Sequence, residues 1–174
     1  MKRLLFAVLL AALCAGAFAA EFAAEDGSVK LRAKSISMNK KVVTAKGGTS
    51  LAVRDEEAFL QIECRDLKLV YEGKAAKGLE GISQAVITEG VVMEYKAGDS
   101  QYHIWCDSAF YENDVMTLAG SVRIDSVVGD TPMTATGSRA TINLSRTAGE
   151  DEQLFAIEGD SERARVTLPV GKGE

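Results

Sequence analysis

Ile104-Trp105-Cys106-Asp107-Ser108-Ala109-Phe110-Tyr111 changes step at its centre. Up to Cys106 the inward candidates Tyr102, Ile104 and Cys106 fall at every second residue; beyond it Ala109 and Tyr111 do so one residue out of phase. A straight strand cannot carry such a pattern, because a one-residue slip exchanges its faces. A bulge or a sharp bend can. The stretch therefore reads as a strand that turns a corner and passes from one sheet layer to another. The next segment, Met116-Thr117-Leu118-Ala119-Gly120-Ser121-Val122-Arg123-Ile124, keeps one phase. Met116, Leu118, Gly120, Val122 and Ile124 share a face, and Thr117, Ala119, Ser121, Arg123 and Asp125 share the other.

The same pair of patterns recurs along the chain, which marks an internal repeat. Ala33, Cys64, Cys106 and Gly137 act as anchors. Before them stand Val29 and Leu31, Leu60 and Ile62, Tyr102 and Ile104, Met133 and Ala135. After them, in the opposite phase, stand Ile36 and Met38, Leu67 and Leu69, Ala109 and Tyr111, Ala140 and Ile142. Each anchor is followed by a strand holding a glycine, Gly47, Gly90, Gly120 or Gly159, suited to an opposite bend. The stripes on those strands are Val43-Ala45-Gly47-Thr49-Leu51-Val53 and Phe155-Ile157-Gly159 beside the Met116 stripe, and Val86-Thr88-Gly90-Val92, which is less clean because Ile87, Val91 and Met93 on the opposite face are also apolar. The expected fold is all-β: a V-shaped β-jelly roll, a two-sheet antiparallel sandwich of about four repeats over residues 29–169.

The first residues read as an address. Met1-Lys2-Arg3 is a basic start, Leu4 to Leu13 is unbroken and apolar, and Ala17-Phe18-Ala19-Ala20 offers an A-x-A cleavage site. The apolar run falls short of the roughly 20 residues that span a bilayer. Residues 1–20 are thus expected to be a cleaved signal peptide, 21–28 a short arm and 170–174 a tail. Cys14 lacks the flanking residues of a lipoprotein signal, with Leu13 before it and Ala11 three before. An uncleaved anchor is the alternative.

Composition excludes several classes. The chain has 174 residues, 47% hydrophobic, 26% charged and 6% aromatic. It is too charged for a polytopic membrane protein and too apolar for a disordered one. Twenty Lys and Arg against 25 Asp and Glu give a net charge of -5, a poor basis for binding nucleic acid. A single His, His103, excludes a polyhistidine metal cage, and no nucleophile–base pair is visible around Asp107-Ser108 or Ser145. Gly47-Gly48 lacks the rest of a phosphate loop, and the acidic runs Asp55-Glu56-Glu57 and Glu150-Asp151-Glu152 lack calcium-loop spacing. No enzyme, cofactor or metal is expected.

The Ile104–Tyr111 and Met116–Ile124 segments, followed by Met133-Thr134-Ala135-Thr136-Gly137-Ser138-Arg139-Ala140-Thr141-Ile142, resemble the organic-solvent-tolerance-like (OstA-like) family of periplasmic lipopolysaccharide-transport proteins. Cys106-Asp107, Tyr111 and Gly120-Ser121-Val122 look like that family's small-residue-Asp corner, Tyr strand and Gly-x-Val strand. Lys34 and Arg65 stand where the family often has Asp, and residues 73–81 read as an insertion. The resemblance covers roughly residues 29–168. It implies a V-shaped jelly roll that receives the acyl chains of lipopolysaccharide in the periplasm. It further implies rolls stacked head to tail, as a homo-oligomer, between an inner-membrane transport complex and an outer-membrane assembly protein.

On that reading the lipid-binding lining is Ile36, Met38, Leu51, Val53, Leu60, Ile62, Leu67, Leu69, Ile104, Tyr111, Leu118, Val122, Ile124, Ile142, Phe155 and Ile157. The bland alternative is that these residues form an ordinary closed core. The edge strands available for pairing are expected near Val29 to Ile36 and near Ala164 to Leu168. Cys64 and Cys106 share corner positions and phase, so they read either as a disulfide or as two small buried thiols. The competing functions are a membrane-tethered lipopolysaccharide-transfer relative and a structural or adhesive β-solenoid without lipid cargo.

Overall fold

The computed structural model describes residues 20–23, 27–54, 58–71, 82–128, 131–143, 155–159 and 164–167. Eleven strands run in chain order: β1 (Ala20–Ala23), β2 (Val29–Ala33), β3 (Ser35–Met38), β4 (Val42–Arg54), β5 (Ala58–Tyr71), β6 (Ile82–Ala97), β7 (Ser100–Glu112), β8 (Val115–Val128), β9 (Thr131–Asn143), β10 (Phe155–Glu158) and β11 (Arg165–Thr167). They form one antiparallel sheet of order β1-β2-β4-β5-β6-β7-β8-β9-β10, with β3 beside β4 and β11 beside β9. The two layers expected of a sandwich are the halves of this single, unclosed sheet. From β4 to β9 consecutive strands are hydrogen-bonded neighbours, whereas β2 and β3 both pair with β4, and β10 and β11 both pair with β9. The β7–β8 turn uses Asn113 and Asp114, both at positive φ (51° and 61°), which small polar side chains tolerate.

Every long strand is interrupted at the same height. Register shifts fall between Lys46 and Thr49, Glu63 and Asp66, Thr88 and Val91, Trp105 and Ser108, and Ala119 and Val122. On β4, β6 and β8 the interruption is a left-handed residue pair: Gly47-Gly48 (φ 82°, 84°), Glu89-Gly90 (62°, 66°) and Gly120-Ser121 (73°, 45°). Two inserted residues preserve side-chain phase, so Leu118 and Val122 both point inward. On β5, β7 and β9 the phase reverses past Cys64, Cys106 and Gly137, as the alternation in the sequence requires. At the two ends of the sheet the corner breaks the strand altogether: β2 and β3 flank Lys34, and β10 and β11 both pair with β9. This line of bulges folds the sheet into two wings. Their inward side chains form one buried apolar cluster.

The β6 stripe needs correcting. The sequence placed Val86, Thr88, Gly90 and Val92 inward; the structure buries Ala85, Ile87, Val91 and Met93 and leaves Val86 and Val92 exposed. The cause is local. Glu89, a non-glycine at positive φ, occupies the first bulge position, so Gly90 matches Gly48 and Ser121 rather than Gly47 and Gly120. Glu89 is tied to the neighbouring corner by Arg65, whose Nη1 donates to its Oε2 at 2.5 Å.

Candidate functional site

The interior is built from cross-strand rows, each one residue deep. Beside the corner on one wing, Leu31, Leu51, Ile62, Met93, Ile104, Ile124 and Ala135 stand opposite one another in succession, all buried. On the other wing the matching row is Ile36, Ala45, Leu67, Ile87, Ala109, Leu118, Ala140 and Ile157. Large and small side chains interleave along it, as close packing demands. Farther from the corner lie Val29-Val53-Leu60-Tyr95-Tyr102-Ser126-Met133 on the first wing and Met38-Val43-Leu69-Ala85-Tyr111-Met116-Ile142 on the second. Tyr71, Ile82, Tyr95, Tyr102 and Tyr111 pack half-buried at the margins of this cluster.

Most lining residues read from the sequence fall in these rows. Leu51, Val53, Leu60, Ile62, Leu67, Leu69, Ile104, Leu118, Val122 and Ile124 are buried, and Ile36, Tyr111, Ile142 and Ile157 pack half-buried against them. Met38 is 55% exposed, because β3 is an edge strand and its row ends there. Phe155 pairs with Ile142 at the head of β10, and its side chain lies outside the described part of the structure. The sequence list omitted Leu31, Val43, Ile87, Val91, Met93 and Met116, which complete the rows. Leu31, Val43 and Met116 already stood on stripes visible in the sequence, whereas Ile87, Val91 and Met93 lay on the face of β6 opposite the stripe read there.

The wings face each other closely. Ala45, Ile87 and Leu118 are fully buried. A recess of about 580 Å³ lies at the corner, lined by Lys34, Gly47, Thr49, Glu63, Cys64 and Gly90 among others. Exposed apolar residues stand at both ends of the Leu31 row. Phe22 of β1 extends the Leu31 row at one end, and Val166 of β11, 53% exposed, extends the same row past Ala135 at the other.

The edges differ from those read in the sequence. Residues 29–36 do not form one edge strand: β2 is covered by β1, where Glu21 pairs with Lys30 and Arg32, and β3 alone lies at the margin of β4. At the opposite end β11 lies outside β9, as expected.

The cysteines are free thiols, so the disulfide reading is corrected. Cys64 and Cys106 sit on β5 and β7 with β6 between them. Two strand spacings of about 4.8 Å exceed the Cα separation a bridge tolerates. Burial, with lesser contributions from Asp66 and Asp107, pushes the Cys64 thiol up to about 12 and the Cys106 thiol up to about 11.

Among the described residues no charged side chain is buried. His103 faces outward between Glu94 and Asp125, with its Nε2 2.7 Å from Gln101 Nε2 and its ring stacked on Trp105. Among the described residues no cluster of three His, Cys, Asp or Glu side chains is arranged to hold a metal, and no helix is long and apolar enough to cross a membrane. Among the described residues the buried polar ones are Thr49, whose hydroxyl donates to the Arg65 carbonyl at 3.2 Å, and Ser126.

A fold of this kind is also found in a solved protein. The crystal structure of LptH from Pseudomonas aeruginosa, described as the LptA-homologous periplasmic component of the conserved lipopolysaccharide transport device, superposes with a TM-score of 0.56. The match covers 82% of this chain and 94% of that one at 10% identity. The chain has the LptA-like β-jelly-roll fold. At that identity the likeness is one of fold. No protein-family model matches the sequence, and no curated protein does. The jelly roll's corner, rows and margins are therefore read for function from their own chemistry.

Proposed function

We propose that this protein is a periplasmic, non-catalytic carrier of lipopolysaccharide, holding the acyl chains between the two wings. One observation carries the reading: a single unclosed sheet is folded so that uninterrupted apolar rows run from one end to the other. The fold shared with LptH supports it. Acyl chains entering between the wings would replace wing-to-wing contacts with chain contacts. Each methylene removed from water contributes about 0.8 kcal/mol, which offsets the cost of parting the layers. The partners on this reading are the inner-membrane transport complex and the outer-membrane assembly protein. Head-to-tail stacking of the end strands, β11 toward β1 on one wing and β10 toward β3 on the other, would join the rolls, because an unpaired strand edge is a template for another strand.

Delivery to the periplasm rests on the leader read at residues 1–20, which lies outside the described residues apart from Ala20. Mass spectrometry of the exported chain separates a cleaved carrier, starting at Ala20 or Glu21, from a tethered relative that retains the leader. In vivo photocrosslinking from Tyr102 and Ile142 tests the cargo, with lipopolysaccharide adducts expected from both. A structural jelly roll without cargo is the second reading, favoured by the close packing of Ala45, Ile87 and Leu118. Absence of lipid adducts at both positions, with protein adducts intact, would establish it in place of the carrier.

A further inference from the structure

Ser126 is 3% exposed, and its Oγ finds no hydrogen-bond partner. Its place makes this unusual. It faces inward in the row Leu60-Tyr95-Tyr102-Ser126-Met133, directly opposite Tyr102 on β7 and Met133 on β9. The two rows beside the corner carry apolar side chains throughout. In the far row of the other wing, the Tyr111 hydroxyl donates to Asp114 Oδ1 at 2.9 Å and is satisfied. Beside Ser126 the rings of Tyr95 and Tyr102 lie 6.1 Å apart, each offering an apolar face with a polar tip. A buried hydroxyl without a partner costs free energy that an alanine at the same place would not.

We infer that Ser126 is the hydrogen-bond donor for a carbonyl of an acyl lipid, the ester or amide that joins chain to headgroup. This rests on the carrier reading above and adds a polar site to it. The geometry suits the linkage region. Ser126 lies in the row away from the corner, where the wing gives way to Tyr rings. From Ser126 to Val122 at the bend the strand runs roughly 14 Å, at about 3.4 Å per residue. A carbonyl held at Ser126 leaves that apolar depth for the hydrocarbon and keeps the headgroup outside the roll. The hydroxyl then repays its desolvation only when lipid is bound.

The test compares the wild type with Ser126→Ala and with Ser126→Thr, which keeps the hydroxyl. Binding is measured by native mass spectrometry and fluorophore displacement with lipid A, a diacyl phosphatidylethanolamine and its dialkyl ether analogue, and lipid-free stability by thermal melting. The ether analogue lacks the carbonyl. The inference expects the wild type to prefer the ester lipid to the ether by about fivefold, the worth of one neutral hydrogen bond. Ser126→Ala should erase that preference, keep the ether-lipid affinity and melt at a higher temperature; Ser126→Thr should retain the preference. An equal loss for lipid A and phosphatidylethanolamine assigns the contact to acyl linkages generally, and a loss for lipid A alone assigns it to that glycolipid. A preference that survives in Ser126→Ala, or is missing from the wild type, overturns the inference and leaves the carrier reading standing. A wild type that binds none of the three lipids overturns the carrier reading itself.

Discussion

Gly120 of β8 lies against the Asp107 side chain of β7, with Asp107 Cβ and Cγ both 2.8 Å from where a Gly120 side chain would begin. Gly120 also has φ +73°, so the corner demands glycine twice, for conformation and for space. Gly120→Ala is expected to destabilise the fold by about 2–3 kcal/mol. Gly98, at φ +52° with open space around it, is the control: Gly98→Ala should cost only about 1 kcal/mol. The difference between their urea midpoints measures the collision with Asp107.

Leu118 is fully buried between the wings. Leu118→Asp puts an unpaired carboxylate there and is expected to unfold the domain, at a cost of more than about 4 kcal/mol. Far-ultraviolet circular dichroism and export yield check this. Leu118→Ala should cost about 2–5 kcal/mol and leave a cavity. The proposed cargo is better probed from the margins, where a substitution does not open the core.

The raised thiols make stability fall with pH. Ordinary thiols, near 9.0, lose their protons in the unfolded chain first, while Cys64 and Cys106 hold theirs to about 12 and about 11. The native state then binds more protons, so this contribution is complete below about pH 9 and is lost as pH climbs toward the folded values. Tyr111, pushed up to about 12 by burial and by Asp114, acts in the same sense at higher pH. Melting temperature should decline above about pH 9, and a Cys64→Ala, Cys106→Ala double variant should decline less steeply. Iodoacetamide at neutral pH should label neither thiol until urea is added.

Val166 continues the Leu31 row on the outermost strand and stands half in solvent. If rolls stack through this edge, Val166→Pro should shift higher oligomers toward monomer in light scattering while far-ultraviolet circular dichroism stays that of a β-protein. Unchanged oligomers would assign self-association to another surface.

The corners were legible in the sequence because phase is a strict readout: past Ala33, Cys64, Cys106 and Gly137 the paired apolar residues of the inner face change parity, and a bend must intervene. Glu89 broke the rule because its bulge looks like continuous strand when glycine is sought at the first position. β1 was hidden because Ala20–Ala23 straddles the end of the leader and is only four residues long, and its pairing with β2 depends on a partner that local pattern does not reveal. The fate of the cysteines depended on which strand lies between them. Ser126 was hidden for the same reason, since only cross-strand register places it among Tyr102, Met133 and the apolar rows.

The paired left-handed residues on alternate strands keep the inner face inward on their own, without reference to distant parts of the chain. A hairpin carrying one such pair and one phase-reversing corner is therefore a self-contained module. Duplicating or deleting it would change the length of the molecule by a fixed step while leaving every other side chain facing the way it did. Reach is thus a heritable quantity that evolution can adjust by whole hairpins, and a designer could do the same.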